Sequence, residues 1–230
     1  MRILGLVALA LCVPGGVFAG GLQVSPTRLD VPTDRRSTAV VVRNTGSTPV
    51  LLHAESMQWS QPDGQDQYGA STDLIVSPPV FSLDPGASQT VRVGRRDRAP
   101  PSEQRAYRVF IQEVPPAAVA VPQELKVVLR IGVPALVTPE QAKPAHATWS
   151  LACENGDTPE LRITNDGGRV VRFDSVAVDA ASARFAEHAV YVLAGQTRSL
   201  KLTGLPRSTR NVDLQALAGE DSYRASLRCE

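Results

Sequence analysis

The residue types that most often carry catalysis or bind metals are sparse and scattered in this sequence. The three histidines, His53, His146 and His188, stand far apart, and none has a second ligand at helical or hairpin spacing. No GxSxG, HExxH or GxxxxGK motif occurs. The oxygen-rich run Gly156–Gly168 lacks the spacing of an EF-hand, so turn and cap roles suit its Asp and Asn side chains better. The sequence therefore predicts no metal, no cofactor and no enzymatic activity.

Arginines that could hold an anion recur on strand-like segments in the first half of the chain. Arg28 follows the run VSPT, while Arg108 and Arg130 lie within later alternating segments. The first and last strands of a β-sandwich often run near each other, so these three side chains could converge. Guanidinium groups gathered away from water are costly unless an anion joins them. The spacing suggests a carboxylate site, with ordinary exposed sheet-face arginines as the alternative.

Two cysteines, Cys153 and Cys229, remain once a predicted export signal is removed. Residues 1–20 carry the apolar run Ile3–Val13 and the small-residue cleavage pattern Val17–Ala19. The run is shorter than the roughly 20 apolar residues that a membrane-spanning helix needs. An even pair of cysteines in an exported chain favours a disulfide over two buried thiols. No CxxC motif supports redox catalysis.

Composition and charge indicate a globular chain without a nucleic-acid-binding field. Of 230 residues, 43% are hydrophobic and 20% charged, which is enough for one large or two small domains. The formal net charge is +1, and it falls to zero when Arg2 leaves with the signal. Without a basic field, nucleic acid is not an expected partner.

Short strand-like runs joined by turn signals dominate the rest of the chain, with no long helical periodicity. Such runs, separated by Asn-Gly and Pro-Gly turns, predict an all-β fold of β-sandwiches. The expected strands are Ser37–Arg43, Val50–Gln58, Gln89–Val93, Tyr107–Glu113, Leu125–Val133, Glu160–Thr164, Val170–Val178, Ala189–Leu193, Ser199–Leu202, Asn211–Leu217 and Tyr223–Arg228.

The two halves of the chain resemble each other. Val40–Met57 and Leu161–Val176 share a strand, an Asn-containing turn and a second strand. Leu83–Val93 and Leu193–Leu202 are similar in the same relative place. Repetition of one strand–turn plan predicts two related sandwiches in tandem.

A polar, proline-bearing stretch, Thr138–Ala147, is the expected hinge between them. The predicted domains are residues 21–139 and residues 140–230. The segment Glu124–Pro139 then closes the first domain.

The alternating residues of that closing segment are its most informative feature. Its apolar positions are Leu125, Val127, Leu129, Ile131 and Val133. This period of two indicates a strand with two unlike faces, and Pro134 suggests that the strand ends there. The apolar face could fill the core of its own domain or meet something from outside the chain.

At these residues the chain resembles the periplasmic chaperones of chaperone–usher pilus assembly. The stretches in the family's order and spacing are VSPTRLDV, VVVRNTGSTPVLLHAESMQW, VSPPVFSLDPGASQTVRV, RAYRVFIQEVPP and LKVVLRIGVPALVTP. The second domain matches mainly as a sandwich of the right size. The resemblance implies a boomerang of two immunoglobulin-like domains, located in the periplasm.

The resemblance also implies a donor strand, whose apolar side chains complete a pilin subunit that lacks one strand. The matching residues are Leu125, Val127 and Leu129, with Ile131 extending the series. The implied partners are pilin subunits and an outer-membrane usher, without membrane insertion. Self-association of the free chaperone through its exposed edge is left open.

The family's second element is an Arg–Lys pair that anchors the carboxylate at the pilin C-terminus. Arg28 matches the arginine, whereas Pro134 stands in place of the lysine. Arg108 and Arg130 are the candidates for the missing partner. This departure resembles the non-classical branch, archaic or spore-coat-U-like. Thr138 stands where the better-known branches carry the arginine of an interdomain ion pair.

Two other classes of protein remain open from the sequence. In an exported structural or adhesive sandwich without chaperone activity, the alternating residues would be ordinary core. An exported carbohydrate-active enzyme would need paired carboxylates, and none stands out.

Overall fold

The computed structural model describes residues 21–31, 33, 37–96, 101–115, 127–153, 157–180 and 183–229. The predicted signal, residues 1–20, and the donor-strand candidate Leu125 lie outside these ranges. The described residues form seventeen β-strands and one short 3₁₀ turn, Pro62–Gly64. Within them, no helix is long and apolar enough to cross a membrane, and no group of three or more acidic, His or Cys side chains could hold a metal.

Ten strands build the first sandwich from two facing sheets. One sheet has the order β1-β3-β8-β6, and the other has the order β2-β10-β9-β4-β5 with β7 also paired to β4. The strands are β1 (Leu22–Ser25), β2 (Leu29–Val31), β3 (Ser37–Asn44), β4 (Val50–Ser60), β5 (Gln67–Ala70), β6 (Leu74–Ser77), β7 (Val80–Leu83), β8 (Ser88–Arg95), β9 (Arg105–Glu113) and β10 (Arg130–Val137). Alternate apolar residues such as Val40, Val91 and Val109 fill the core between the sheets.

Seven strands build the second sandwich around a separate core that includes Leu161, Phe173 and Val192. Its sheets have the orders β11-β12-β15 and β14-β13-β16-β17. The strands are β11 (Ala147–Ala152), β12 (Glu160–Asn165), β13 (Val171–Ala180), β14 (Ala183–Val192), β15 (Gln196–Lys201), β16 (Asn211–Ala218) and β17 (Asp221–Arg228). A disulfide joins Cys153 to Cys229, as the cysteine count predicted. The predicted all-β fold of two sandwiches is confirmed.

The resemblance between the two halves has a structural counterpart in two buried asparagines. Asn44 ends β3 and donates its amide to the carbonyl of Leu83 at 3.1 Å. Asn165 ends β12 and donates its amide to the carbonyl of Leu193 at 3.2 Å. Both side chains are fully buried. Within its own half, each asparagine therefore joins the two segments that have counterparts in the other half.

β10 differs from its predicted extent, because it begins at Arg130 and continues through Pro134 to Val137. Opposite it, the Glu113 N–H donates to the Leu129 carbonyl at 3.0 Å. In an antiparallel ladder, alternate residues turn their backbone groups toward the partner strand. Counting from Leu129, Val133 and Ala135 face β9, whereas Pro134 faces away from it. Pro134 therefore leaves the β9 ladder intact, and the strand does not end there.

The two sandwiches meet in a small joint with an apolar centre and a polar rim. Trp59 and Leu136 of the first sandwich pack with Leu193 of the second. The buried Gln61 side chain donates to the Tyr191 carbonyl at 2.8 Å and accepts from the Leu193 N–H at 2.9 Å. The buried amide is thus satisfied on both sides and links the two sandwiches.

Candidate functional site

β10 is paired along its whole length on one side only. Its register with β9 runs from Arg130 to Val137, whereas the parallel pairing with β2 covers only Ala135–Val137. In the part of the chain that the structure describes, no strand pairs with the other side of Arg130–Pro134. We call this side of residues 128–134 the open edge. Unpaired backbone groups on such an edge form a template for another strand.

The apolar face of the same segment passes gradually from solvent into the first core. Val127 is 71% exposed, and Leu129 is partly buried. Ile131 packs against the core cluster, and Val133 is fully buried within it. Three of the predicted donor residues are described by the structure. Val127 is exposed to solvent, Leu129 is partly buried, and Ile131 already packs on the core of its own sandwich.

Arg108 lies in β9, one strand in from the open edge, and is enclosed by aromatic rings from both sandwiches. Its guanidinium carbon is 4.1 Å from the ring centre of Trp59 and 5.4 Å from that of Tyr191. Its Nη1 donates to the Gly132 carbonyl at 3.1 Å. Its buried Nε has no acceptor among the described residues. A buried N–H of a permanent cation is costly without an acceptor, so Arg108 is the strongest candidate for an anion-binding residue.

Tyr68 of β5 completes the wall beside Arg108. Its ring stands edge-on to Phe110, with 5.2 Å between ring centres. Burial raises the pKa of the Tyr68 hydroxyl above its usual value of 10, and the Arg108 charge opposes only part of this shift. The hydroxyl is therefore protonated at neutral pH and can act as a hydrogen-bond donor.

Arg28 lies in the same row of the sheet as Arg108. The register pairs Leu29 with Ala135 and Pro134 with Arg108, so Arg28 falls beside Pro134. Two strand spacings separate the backbones of the two arginines, about 10 Å. The Arg28 side chain is exposed and pairs with Asp30, with 2.8 Å between Nη2 and Oδ1.

Arg130 lies farther along the sheet. It is four residues from Pro134 on β10, about 13 Å along the strand. Its guanidinium carbon lies 3.8 Å from the ring centre of Phe110, and its Nη2 is 3.5 Å from a Glu55 oxygen. Of the three arginines predicted to converge, the structure thus places Arg28 and Arg108 in one row and Arg130 outside it.

Polar links between the sandwiches include residues that sequence reasoning missed. Gln104 donates to the Thr138 hydroxyl and accepts from the Val170 N–H at 2.5 Å, so a neutral amide makes the link at Thr138. An interdomain ion pair does exist elsewhere, with 3.8 Å between Arg198 Nη1 and Asp66 Oδ1. No spacing rule marks such residues, because their partners lie far away in the sequence. For Trp59 and Tyr191, the only hint in the sequence of a role at the site was that aromatic residues are rare in this chain.

Comparison with known proteins supports the same interpretation of the first sandwich. A family model described as "Pili and flagellar-assembly chaperone, PapD N-terminal domain" matches residues 21–143. The uncharacterized fimbrial chaperone YcbF of Escherichia coli (strain K12) is 28% identical over 132 residues, 56% of this chain and 55% of that protein. The chain spans about half the length of the curated relatives that it matches.

Two solved structures share the fold across nearly the whole chain. A chain of the CsuC–CsuE chaperone–tip adhesion subunit complex, from archaic Csu pili of Acinetobacter baumannii, has a TM-score of 0.70, 18% identity and coverage of 91% of this chain and 99% of that chain. A chain of the Salmonella enterica SafA pilin–SafB chaperone complex has a TM-score of 0.62, 16% identity and coverage of 92% and 97%. At these identities the likeness shows the fold.

The family model covers more than half of the 230 residues. Members of that family are chaperones and not enzymes, in agreement with the absence of catalytic motifs in the sequence. The resemblance found in the sequence is thus confirmed at the level of the family. This chain belongs to the pilus-assembly chaperones that share the PapD N-terminal domain.

Proposed function

We propose that this protein is a periplasmic chaperone that captures pilin subunits by donor-strand complementation and delivers them to an outer-membrane usher. The observation that carries the proposal is the open edge of β10, next to the exposed apolar side chain of Val127. A pilin that lacks one strand has an unpaired sheet edge and an unfilled apolar groove. A lent strand satisfies both at once.

The geometry of β2 suggests how a captured strand would lie. β2 runs parallel to β10 and pairs with it beyond Pro134. A pilin strand on the open edge would lie in line with β2 in the sheet, in the space before Leu29. We call this space the lane. If the pilin C-terminus points toward Arg28 and Arg108, the captured strand runs parallel to β10. Leu125, Val127 and Leu129 would then enter the groove, each contributing about 1.5–3 kcal/mol before ordering costs.

The carboxylate anchor would combine Arg28 with Arg108. Arg108 supports this role through its buried Nε without an acceptor and its ring enclosure. Arg28 supports it through its place in the same row, although Asp30 already pairs with its guanidinium. The incoming carboxylate must therefore share Arg28 with Asp30 or displace that side chain. The position of Arg130 suggests a lesser part for it.

The structural neighbours favour the same partners. Both complexes named above contain a chaperone bound to a pilus subunit. The neighbour with the TM-score of 0.70 comes from an archaic system, which supports placing this chain in the non-classical branch. Export to the periplasm rests on the signal predicted at residues 1–20.

The central test is the substitution Val127→Asp. Candidate pilins from the same genome would be co-expressed with it, and the yield of 1:1 complex would be measured after affinity purification. We expect at least about a 30-fold loss of complex, because a charge would have to enter an apolar groove. We expect the unfolding free energy of the free chain to change by less than about 0.5 kcal/mol, because Val127 is exposed.

Val41→Asp is the matched control, because Val41 is an exposed valine on the other sheet of the same sandwich. It should leave capture unchanged. A large loss of stability in free Val127→Asp would show that the apolar face is ordinary core, as in a structural or adhesive sandwich. Unchanged capture by Val127→Asp would rule out donor-strand complementation.

The anchor is tested by comparing Arg28→Ala, Arg108→Gln and Arg130→Gln in the same capture assay. Loss of a charge-assisted hydrogen bond to a carboxylate should reduce capture about tenfold or more for the first two variants. Arg130→Gln should have a smaller effect, because Arg130 lies outside the row. A larger effect at Arg130 than at Arg108 would contradict the proposed anchor.

A further inference from the structure

The open edge offers backbone donors at regular intervals until Pro134 interrupts them. By the alternation along β10, the N–H groups of Val128, Arg130 and Gly132 point to the open side. Pro134 is the next residue in that series and has no N–H. The row of backbone donors therefore ends at Gly132.

The start of β2 also blocks the lane beside the open edge, at the level of Pro134. β2 begins at Leu29, opposite Ala135, and Arg28 lies beside Pro134. A partner strand in this lane has room only as far as the position opposite Val133. Its chain must therefore end there or turn away from the sheet.

The end of the donor row and the end of the lane both affect one atom of the partner, the carbonyl oxygen of its last residue in the lane. In a parallel ladder, a residue with an N–H at position 134 would donate to the carbonyl of the partner residue opposite Val133. That residue is the last one the lane can hold, and its carbonyl finds no backbone donor. The groups in reach on either side are the guanidinium groups of Arg28 and Arg108, which lie in the row of Pro134.

We propose that Pro134 is a specificity-determining residue that makes capture depend on the charge of the partner's terminal carboxylate. The inference rests on the proposed function and deepens it. A neutral carbonyl at this level, as in an amidated chain end, loses its backbone donor and gains little from the arginines. A carboxylate gains charge-assisted bonds that do not need the backbone. Proline in place of the family's lysine thus removes a competing neutral contact.

The variant that tests this role is Pro134→Val. Valine has a similar volume, suits a strand and restores the N–H on the open side. Because position 134 faces away from β9, the existing ladder needs no change. Pro139→Val is the matched control, because Pro139 is also buried but lies beyond the open edge.

The experiment is a competition for limiting chaperone between two forms of one candidate pilin from the same genome. Intein-mediated ligation gives the pilin a free carboxylate or a carboxamide at its last residue, and isotope labelling distinguishes the forms by mass spectrometry. The unaltered chain should favour the carboxylate form about tenfold or more. In Pro134→Val this preference should fall by about 3–10-fold, with no fall in Pro139→Val.

An unchanged preference in Pro134→Val would overturn this inference and leave the proposed function standing. An unaltered chain that captures both forms equally would overturn it as well. If the unaltered chain captures neither form, the proposed function itself fails, and this inference fails with it. Should Pro134→Val not fold, Pro134→Ala restores the same N–H with less bulk and is judged by the same outcomes.

Discussion

The last strands of the two sandwiches carry the same alternating pattern and use it differently. β17 of the second sandwich packs Tyr223, Ala225 and Leu227 against its own core. The segment leading into β10 leaves Val127 exposed, and contact with the first core starts only near Ile131. An alternating strand is therefore ordinary core where its own sandwich fills the apolar face. Where the apolar face is left exposed beside an unpaired edge, as before β10, the strand is the binding element that we propose.

The difference does not come from the plan of the sandwiches, since both have the same buried asparagine corner. The two strands also differ in how the segment next to each of them is held. Cys229, directly after β17, is bonded to Cys153 and bridges to Leu151 in the backbone. In the described part of the first sandwich, no disulfide holds the segment before β10. β17 is also an edge strand, but its apolar face packs on its own core and its end is tied by the disulfide. The segment before β10 has neither feature among the described residues, which agrees with the proposed role in capture.

Removal of the disulfide should have the largest effect. The double variant Cys153→Ala and Cys229→Ala opens a covalent loop spanning a sequence separation of 76. We expect the second sandwich to lose about 4 kcal/mol of unfolding free energy. Urea unfolding followed by Trp149 fluorescence would report this, because Trp149 packs on Phe173 of the second core, with 4.9 Å between ring centres.

Trp59 provides the internal control for that measurement, since it belongs to the first sandwich and the joint. The urea midpoint reported by Trp59 should shift much less than the midpoint reported by Trp149. Pilin capture at low temperature should persist. If both transitions move together by the full amount, the two sandwiches unfold as one unit, and the comparison of separately held strands is wrong.

Patterns local in the sequence were sufficient to predict the fold. Period-two alternation and Asn- or Gly-containing turns depend on neighbours a few residues away, so they predicted most strands and the repeated plan. Pro134 was misjudged because the effect of a proline depends on which side of the strand its nitrogen faces. That side follows from pairing with β9, which the sequence does not display.

The candidate site was only partly predictable for the same reason. Arg28 and Val127 stand in recognisable local contexts, so they could be named from the sequence. The burial of Arg108 depends on Tyr191 of the second sandwich, a long-range contact. Asn165 was assigned to a turn, and its complete burial also follows from contacts made across the sandwich. Residue types therefore identified candidates, while distant partners decided which of them lie together.

A smaller effect should distinguish the two asparagine corners. Asn44→Ala and Asn165→Ala each remove a buried amide and leave carbonyl groups without their donors. The expected loss is about 2 kcal/mol of unfolding free energy in the sandwich concerned. Asn165→Ala should cost more, because its Oδ1 also accepts from the His146 N–H at 3.2 Å. His146 directly precedes β11, so this corner also holds the start of the second sandwich.

The measurement is the urea midpoint reported by Trp59 for the first corner and by Trp149 for the second. Asn211→Ala is the control, because Asn211 is exposed at the start of β16 and should change the midpoint little. Equal losses at the two corners would show that the His146 contact adds no stability. A greater loss at Asn44 would reverse the ranking, and the corner of the first sandwich would then be the more tightly held of the two.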